Sequence, residues 1–187
     1  METPVIDSSV IVPAGTDEPV KNRQIRALQR IDARLLHDLI VRCPPLDPNS
    51  LYAYALLALH HSSTCFVAVA NQKICGAVTG YIPPEQPDTY FLWQVAVAPE
   101  QQGTGLGLAL LDHVQQHCMA PKKLHFLETT ISPGNLASQR LFSRFAQRQG
   151  VDIQRFTCLS SQELQPVHAQ ADHLVHEAED LYRLGSW

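Results

Sequence analysis

The sequence lacks any apolar stretch long enough to cross a membrane. A transmembrane helix needs about 18 or more consecutive apolar residues, and polar residues interrupt every shorter run in this chain of 187 residues. The opening METPVIDSSVIVPAG also lacks the basic start of a secretion signal. We therefore expect a cytoplasmic protein with no membrane partner.

Positive charge is scarce as well. The chain has 14 Lys and Arg against 18 Asp and Glu, and its formal net charge is −4. A protein that binds nucleic acid by neutralising phosphates carries the opposite excess, so no nucleic-acid partner is expected. A small cationic substrate suits this charge better.

Cysteines are few and show no metal-binding spacing. Their odd number and their mostly apolar surroundings predict reduced structural thiols and no metal site. The five are Cys43, Cys65, Cys75, Cys118 and Cys158. His113 and His117 lie one helical turn apart, as two metal ligands would, but no third ligand is close in sequence and a solvated helix face is the simpler explanation.

The composition is that of a single globular domain. Hydrophobic residues make up 45% and charged residues 17%, which is not the signature of a disordered chain. Residues 1–21 show no periodicity and are predicted to be a flexible leader, so that residues 22–187 form the domain. The polar connection 160–175 is long for a compact domain, which is typical of a mobile or functional segment.

The first half of the domain alternates predicted strands and helices. NRQIRALQRI predicts a strand, and a helical stripe follows; its residues are Leu35, Leu36, Leu39, Ile40 and Cys43. Asp47-Pro48 predicts the N-cap and first residue of a second helix, which is apolar around its circumference and therefore expected to be buried. TCFVAVA and KICGAVTGYI, joined at Asn71-Gln72, predict a β-hairpin.

The second half continues with a central strand, TYFLWQVAVA, both of whose faces are apolar. Alternation predicts the following faces: Phe91, Trp93, Val95 and Val97 against Tyr90, Leu92, Gln94 and Ala96. KLHFLETTI predicts another strand, followed by a helix with Ser132 as N-cap and an inner face of Ala137, Leu141 and Phe145. VDIQRFTCL and EDLYRLG predict the closing strands.

A glycine-rich turn separates the central strand from the helix after it. The stretch EQQGTGLGLALLDHV, residues 100–114, has glycine at positions 103, 105 and 107. Such a turn leaves backbone N–H groups unpaired at the positive end of the helix dipole, and these groups bind anions. The Lys and Ser or Thr of a P-loop are missing, and Leu108 replaces the last glycine of a dinucleotide fingerprint. A turn that only permits a tight bend is the alternative.

The order of these motifs resembles the GNAT superfamily of N-acetyltransferases. The matching segments are the strand WQVAVAPE, the turn QGTGLG and the asparagine-led helix GNLASQRLF. The resemblance implies an α/β (α+β) fold whose central mixed, mostly antiparallel twisted sheet is flanked by helices. It also implies acetyl-CoA as co-substrate without a metal, the turn holding its pyrophosphate. The implied cofactor-binding residues are Val95, Ala96, Val97, Gln102, Gly103, Thr104, Gly105, Leu106, Gly107 and Asn135.

Further segments resemble one family within this superfamily, the L-2,4-diaminobutyrate acetyltransferases of ectoine biosynthesis. They are RCPPLDPNSLYAY, GYIPPEQPDTYFLWQVAV, LETTISPGN and HEAEDLYRLG, and the resemblance extends from about Arg23 to Leu184. It implies acetyl transfer to the 4-amino group of L-2,4-diaminobutyrate, a response to osmotic stress and a homodimer. A GNAT enzyme for another small amine or a protein N-terminus is one alternative, and a CoA-binding sensor without turnover is another.

This chemistry needs a carboxylate. An alkyl ammonium with a pKa near ~10 has no lone pair with which to attack, so a base must accept its proton. Glu128 is the candidate base, because alternation places it on an apolar face with Leu124 and Phe126, where a charge needs a partner or a function. The alternatives for Glu128 are a structural salt bridge and an anchor for a substrate ammonium. His125, on the other face, is predicted to be structural.

The predicted substrate-binding residues are Asp47, Tyr52, Trp93, Glu128 and Thr130. Asp47 is predicted to cap its helix and also to hold the α-ammonium. By the family resemblance Trp93 forms a wall of the substrate pocket. Tyr52 and Tyr54 either reach the substrate carboxylate or are simply buried.

The resemblance also assigns roles near the thioester. Val95 and Val97 would act through their backbones, one N–H group polarising the carbonyl, and Asn135 would contact the pantetheine arm. Phe142 stands where many GNAT enzymes have a tyrosine that protonates the departing thiolate, so the sequence does not identify the general acid.

Overall fold

The computed structural model describes residues 23–165, 167 and 176–187, and these form one seven-stranded sheet in the order β1-β2-β3-β4-β5-β7-β6. All neighbouring strands are antiparallel except β4 and β5, which are parallel. The sheet therefore confirms the predicted mixed, mostly antiparallel architecture. The strands are β1 (Gln24–Ala27), β2 (Phe66–Ala70), β3 (Lys73–Tyr81), β4 (Thr89–Val97), β5 (Phe126–Ile131), β6 (Asp152–Leu159) and β7 (Glu179–Gly185).

Helices cover both faces of the sheet. They are α1 (Ala33–Val41), α2 (Leu51–His60), α3 (Leu106–Val114), α4 (Ala120–Lys122) and α5 (Leu136–Gln149). A π-helical segment, Gln115–Met119, joins α3 to α4, and short 3-10 turns occupy Arg30–Asp32 and Pro99–Gln101. In the described part of the chain no helix has the length and apolar content needed to span a bilayer.

Two apolar clusters form the core, one on each face of the sheet. The first lies under α3 and α5 and includes Val78, Leu92, Leu110, Leu127 and Phe145. The second lies under α1 and α2 and includes Leu36, Ile40, Leu57, Val67 and Ala77. β4 is the fourth of the seven strands and therefore lies at the centre of the sheet. Apolar helix faces cover it on both sides.

The predicted leader, residues 1–21, lies outside the described residues, as does most of the 160–175 connection. The predicted hairpin is confirmed: Asn71 and Gln72 connect β2 to β3 with φ angles of 49° and 62°. Four cysteines are buried and Cys158 is exposed, and all five are free thiols.

Both predicted helix caps are wrong. Ser50, not Asp47, caps α2 by accepting a hydrogen bond from the Ala53 N–H group, and Asp47 lies in the preceding loop. Asn135, not Ser132, caps α5 by accepting from the Ser138 N–H group. In both loops the carbonyl group of the residue predicted as cap accepts another bond, which holds it ahead of the helix.

The first two helices bury less than their sequences predict. Leu35 on α1 is exposed, whereas the rest of the predicted stripe is buried. Helix α2 buries Tyr54, Leu57 and Ala58 but exposes Tyr52 to 71%, so the prediction of a helix buried all round is wrong. These two helices cover one face of the sheet and leave apolar side chains outside.

Helix α5 turns a slightly different face to the core from the predicted one. Phe142, Phe145 and Ala146 are buried, while Ala137 is exposed and Leu141 lies at the edge. From this edge position Leu141 contacts Gly107, so that α5 lies beside the glycine turn.

Candidate active site

A cleft opens where β4 and β5 separate. The two strands pair only between Thr89–Phe91 and 126–128, although β4 continues to Val97 and β5 to Ile131. Beyond Phe91 and Glu128 the described residues contain no further pairing between these strands. Separated parallel strands leave backbone N–H and C=O groups without their ladder partners. The cleft, bounded by residues 92–97 and 129–131, can therefore offer backbone hydrogen bonds to a ligand.

The glycine turn lies at the end of β4, next to this cleft. Gly103 and Gly105 have φ angles of 74° and 81°, a region in which residues with a side chain are strained. The side-chain amide of Gln102 donates to the Val97 carbonyl oxygen at 3.3 Å, which ties the turn to the strand. The Thr104 hydroxyl donates to the Gln101 carbonyl oxygen at 2.7 Å.

The turn presents open backbone amides. Within the described residues, the N–H groups of Gly103, Thr104 and Gly105 have no acceptor, and the first helical bond of α3 runs from the Ala109 N–H group to the Gly105 carbonyl oxygen. The N–H groups of the first helical turn are therefore free as well. Together with the helix dipole these groups are able to bind an anion, and the anion-binding role predicted from the sequence stays a prediction.

Gly107 has a different role, which is to permit close packing. A Cβ atom at this position would lie 3.2 Å from Leu141 Cδ1 and 3.8 Å from Val97 Cγ2. The absence of a side chain lets α3 approach α5 closely. The N-terminus of α3 and the Leu141 region of α5 thus form adjacent borders of the same surface.

A β-bulge at Trp93 overturns the predicted faces of β4. Gly80 pairs with Leu92 and Thr79 with Gln94, so that Trp93 has no partner on β3. The extra residue reverses the alternation. As a result Leu92 and Val95 contact the same core cluster, while Trp93 contacts the cluster under α1 and α2. The strict alternation expected from the sequence fails at this one residue.

The bulge also directs Gln94 toward the loop between α1 and α2. Buried Gln94 accepts from the Tyr54 hydroxyl at 3.1 Å and donates to the Asp47 carbonyl oxygen at 2.9 Å. The same hydroxyl accepts from the Asn49 N–H group at 3.2 Å. Sequence reasoning missed Gln94, although a glutamine within an apolar strand is a signal that it needs a partner.

Through this network Asp47 is held by its backbone while its side chain stays exposed. The Asp47 carboxylate lies 3.8 Å from His176 Nε2. Next to His176, the Glu177 carboxylate accepts from the Gly134 N–H group at 3.0 Å. The segment before β7 therefore reaches both the Asp47 loop and the start of α5.

Glu128 is buried at the point where the strands separate. Its carboxylate lies 3.2 Å from Arg183 Nη1, and the two residues are direct partners in the β5–β7 register. The Arg183 guanidinium carbon lies 3.8 Å from the centre of the Phe126 ring. The salt bridge that the sequence left as an alternative is thus present. Leu124 belongs to the core cluster under α3 and α5, so the prediction that it shares the face of Glu128 is wrong.

A second carboxylate, Glu179, was missed by sequence reasoning. Burial raises the pKa of Glu179, although a hydrogen bond with Thr130 opposes the shift. Burial raises the pKa of the Cys158 thiol most, and the negative charges of Glu128 and Glu179 raise it further. Alternation along EDLYRLG puts Glu179 on the same strand face as Arg183. This pattern could have identified Glu179 from the sequence.

Several sequence candidates lie away from the cleft or serve the core. Tyr52 points to solvent from α2 and Tyr54 is fully buried. Phe142 is buried in the core and cannot protonate a thiolate. His125 Nδ1 lies 3.2 Å from the Trp187 carbonyl oxygen, and its structural role stays a prediction.

The His113 and His117 rings stack with their centres 3.9 Å apart. Among the residues that the structure describes, no group of three or more His, Cys, Asp or Glu side chains could hold a metal ion.

Comparison with known proteins places this site in context. The model of the acetyltransferase (GNAT) family matches residues 33–146. An L-2,4-diaminobutyric acid acetyltransferase of Bordetella parapertussis is 41% identical over 150 residues, which cover 79% of this chain and 77% of the relative. The corresponding protein of Halomonas elongata is 40% identical over 151 residues, covering 80% of this chain and 74% of the relative.

A solved structure resembles most of this chain. It is the diaminobutyrate acetyltransferase EctA of Paenibacillus lautus in complex with L-2,4-diaminobutyric acid and coenzyme A. The TM-score is 0.81 at 30% sequence identity, and the match covers 88% of this chain and 95% of that chain.

Proposed function

Since this chain belongs to the L-2,4-diaminobutyric acid acetyltransferases of the GNAT family, we infer that it transfers an acetyl group to the 4-amino group of L-2,4-diaminobutyrate. The product is N4-acetyl-L-2,4-diaminobutyrate, an intermediate of ectoine synthesis. Acetyl-CoA supplies the activated acetyl group. The structural observation that carries this function is the β4–β5 cleft, which joins an anion-binding turn at one end to a buried carboxylate at the other.

The residues of the glycine turn fit acetyl-CoA, the donor of the acetyl group. Open amides from Gly103 to Leu108 and the dipole of α3 stabilise a diphosphate. The unpaired edge of β4 suits the amide groups of an extended pantetheine arm. An N–H group of Val95 or Val97 stabilises the negative charge that develops on the thioester oxygen. The side-chain NH₂ group of Asn135 remains available, because the cap uses only its oxygen.

The acceptor amine needs a proton acceptor and a counter-charge. Glu128 is buried at the head of the cleft, and its bond to Arg183 keeps the carboxylate in place. It either takes the proton of the 4-ammonium group, directly or through water, or holds an ammonium of the substrate. Thr130 and Glu179 extend the same polar surface. With two carboxylates present, one can accept the proton of the reacting amine while the other holds an ammonium group of the substrate.

The remaining substrate contacts come from the opposite wall of the cleft. Trp93, turned toward α1 and α2 by the bulge, forms an apolar wall. The exposed carboxylate of Asp47 is free to bind the α-ammonium, with His176 beside it. Tyr52 is exposed near the start of α2, away from the cleft, and its contact with the substrate stays a prediction.

Phe142 stands at the position of the missing tyrosine, is buried and carries no acidic group, so the described residues identify no general acid. A thiol with a pKa near ~8.5 leaves readily as a thiolate at neutral pH. Water or a backbone donor therefore suffices for this step.

The function is tested by measuring acetyl transfer from acetyl-CoA to L-2,4-diaminobutyrate, L-ornithine and L-lysine under the same conditions. We expect the shortest diamine to have the highest kcat/KM and its 4-amino group to carry the acetyl group in the NMR spectrum of the product. Equal or better use of the longer diamines would favour another small amine as the natural acceptor. CoA binding without turnover of any amine would favour a sensor.

We also propose that the enzyme is a homodimer. Six large apolar side chains on or beside α1 and α2 are exposed: Ile31, Leu35, Val41, Leu51, Tyr52 and Leu59. Exposed apolar side chains on two neighbouring helices favour contact with another protein surface, and we propose a second copy of the chain as the occupant. Light scattering after size-exclusion chromatography measures the mass; a single-chain mass at micromolar concentration would contradict this.

The free thiols and the need for acetyl-CoA favour a cytoplasmic location. Ectoine synthesis links the enzyme to osmotic stress. Transcript levels of the gene in its host, compared at low and high salt, test that link.

A further inference from the structure

Two arginines on α5 have no acidic partner among the residues that the structure describes. Arg140 and Arg144 lie one helical turn apart, and in the described part of the chain neither forms an ion pair or hydrogen bond. Like charges at this spacing repel each other and destabilise a helix. The next arginine on the same helix, Arg148, does have a partner, the Asp112 carboxylate at 3.2 Å. In a chain of net charge −4, a pair of unneutralised arginines points to a ligand that carries negative charge.

The two arginines line an open pocket of about 370 Å³. Its other lining residues are Leu136, Gln139 and Ser143. Leu136 is 54% exposed, which leaves an apolar side chain for a flat ring to cover. The pocket thus combines two guanidinium groups and a hydroxyl, which suit a phosphate, with an apolar contact.

This pocket adjoins the glycine turn. Leu141 contacts Gly107 in the first turn of α3, and the two arginines lie one residue before and three residues after Leu141. At a rise of about 1.5 Å per residue, both lie within one turn of that contact. A nucleotide whose diphosphate is bound at the open amides therefore has its remaining groups close to this part of α5.

We propose that Arg140 and Arg144 bind the 3′-phosphate of coenzyme A, while the adenine ring packs on Leu136. Coenzyme A differs from 3′-dephospho-coenzyme A in that single phosphate, so the pair selects the complete coenzyme. The inference rests on the proposed function, because it places the coenzyme diphosphate at the glycine turn. Ser143 lines the same pocket, so its hydroxyl is available to donate a further hydrogen bond to this phosphate.

Calorimetric titration of the intact protein with CoA and with 3′-dephospho-CoA tests the proposal without any substitution. We expect CoA to bind about tenfold more tightly or better, a preference that falls as salt is raised. Equal affinity for the two ligands would overturn the arginine site and leave the proposed function intact. Absence of heat with both ligands would overturn the proposed function as well.

Substitutions then locate the effect. Arg140→Ala combined with Arg144→Ala is expected to weaken CoA binding about tenfold and to leave the affinity for 3′-dephospho-CoA unchanged. Both side chains are outside the core, and circular dichroism checks that the variant is folded. Arg148→Ala is the matched control, because it removes a paired arginine from the same helix and should not change the preference. An equal loss of affinity for both ligands in the double variant would contradict a phosphate-specific contact.

Discussion

The Glu128 carboxylate and the Arg183 guanidinium lie 3.2 Å apart as direct partners in the register of β5 and β7. The Glu128 side chain is almost completely buried and that of Arg183 is about one-third exposed. The arginine therefore keeps a carboxylate at the head of the cleft that would otherwise be unstable there. A buried charge that is both neutralised and next to an open cleft can serve structure and chemistry at once.

Replacing Glu128 with glutamine removes the charge and keeps the shape. We expect kcat/KM for diaminobutyrate to fall about 10²- to 10⁴-fold, because glutamine neither accepts a proton nor pairs with an ammonium. A fall in kcat with unchanged KM would identify a base, and a rise in KM would identify an anchor. The dissociation constant for CoA, measured by calorimetry, should not change.

A double-mutant cycle with Arg183→Met separates chemistry from stability. Arg183→Met alone leaves the Glu128 charge buried without its partner and should destabilise the fold by up to about 3–5 kcal/mol, less to the extent that water reaches the carboxylate. The double variant with Glu128→Gln should recover part of that loss. If Glu128→Gln keeps full activity, or loses CoA affinity together with turnover, the catalytic role is wrong.

Gly105 allows a second prediction, on the anion site. Its φ angle of 81° is unfavourable for alanine, although a Cβ atom would have no neighbour within 4 Å. Gly105→Ala should therefore change the direction of the open amides and weaken CoA binding about tenfold, at a cost of about 1 kcal/mol in stability.

Gly150 is the matched control for Gly105. It has a φ angle of 68° and equally open surroundings, but it ends α5 far from the turn in sequence. Gly150→Ala should have a similar effect on the free energy of unfolding and none on CoA affinity. Equal loss of CoA affinity in both variants would mean that strain alone, not the turn, controls binding.

From within the core, the Tyr54 hydroxyl supports the Asp47 loop, which is proposed to bind the substrate. Tyr54→Phe leaves Gln94 Oε1 and the Asn49 N–H group without this partner, which should destabilise the fold by about 1–3 kcal/mol. Because Gln94 holds the Asp47 loop, KM for diaminobutyrate should rise several-fold while CoA affinity stays the same. Tyr90→Phe removes another buried hydroxyl, bonded to the Thr64 carbonyl oxygen, and should leave that KM unchanged. An identical KM for Tyr54→Phe and native enzyme would show that the loop does not depend on this network.

The fourth prediction concerns pH. Burial raises the pKa of Glu179 above its usual value of 4.5 in the folded state. The folded protein then holds this proton more tightly than the unfolded chain, so the contribution of Glu179 to stability falls as pH rises from 4.5 through the folded pKa. Relative to Glu179→Gln, the native protein should lose stability across this range in denaturant titrations.

Glu163 provides the opposite case. Hydrogen bonds from the Ser160 backbone and side chain lower the pKa of this exposed carboxyl. The contribution of Glu163 to stability is present above pH 4.5 and is lost as pH falls through the folded pKa. The free energy of unfolding of the native protein, relative to that of Glu163→Gln, should therefore increase as pH rises. If stability relative to the glutamine variant changed with pH in the same direction for Glu179 and for Glu163, the raised pKa of Glu179 would be contradicted.

Local sequence patterns determined the family, the sheet and the glycine turn. Hydrophobic periodicity predicted the strands, because it depends only on neighbouring residues. The turn was predicted because the residues from Gln102 to Gly107 are contiguous and their open amides follow from backbone geometry alone. The same reasoning identified Glu128, since a charge in an apolar strand requires an explanation.

Tertiary structure alone decided how these parts meet. The bulge at Trp93 depends on the register with β3, and a one-residue mismatch across strands leaves no mark in the spacing of β4. Ser50 replaced Asp47 as helix cap because Gln94, distant in sequence, holds the Asp47 carbonyl group. The pairing of Glu128 with Arg183 likewise joins residues 55 positions apart. Such contacts are selected by the packing of the whole chain, whereas a sequence pattern reports only the residues that stand next to one another.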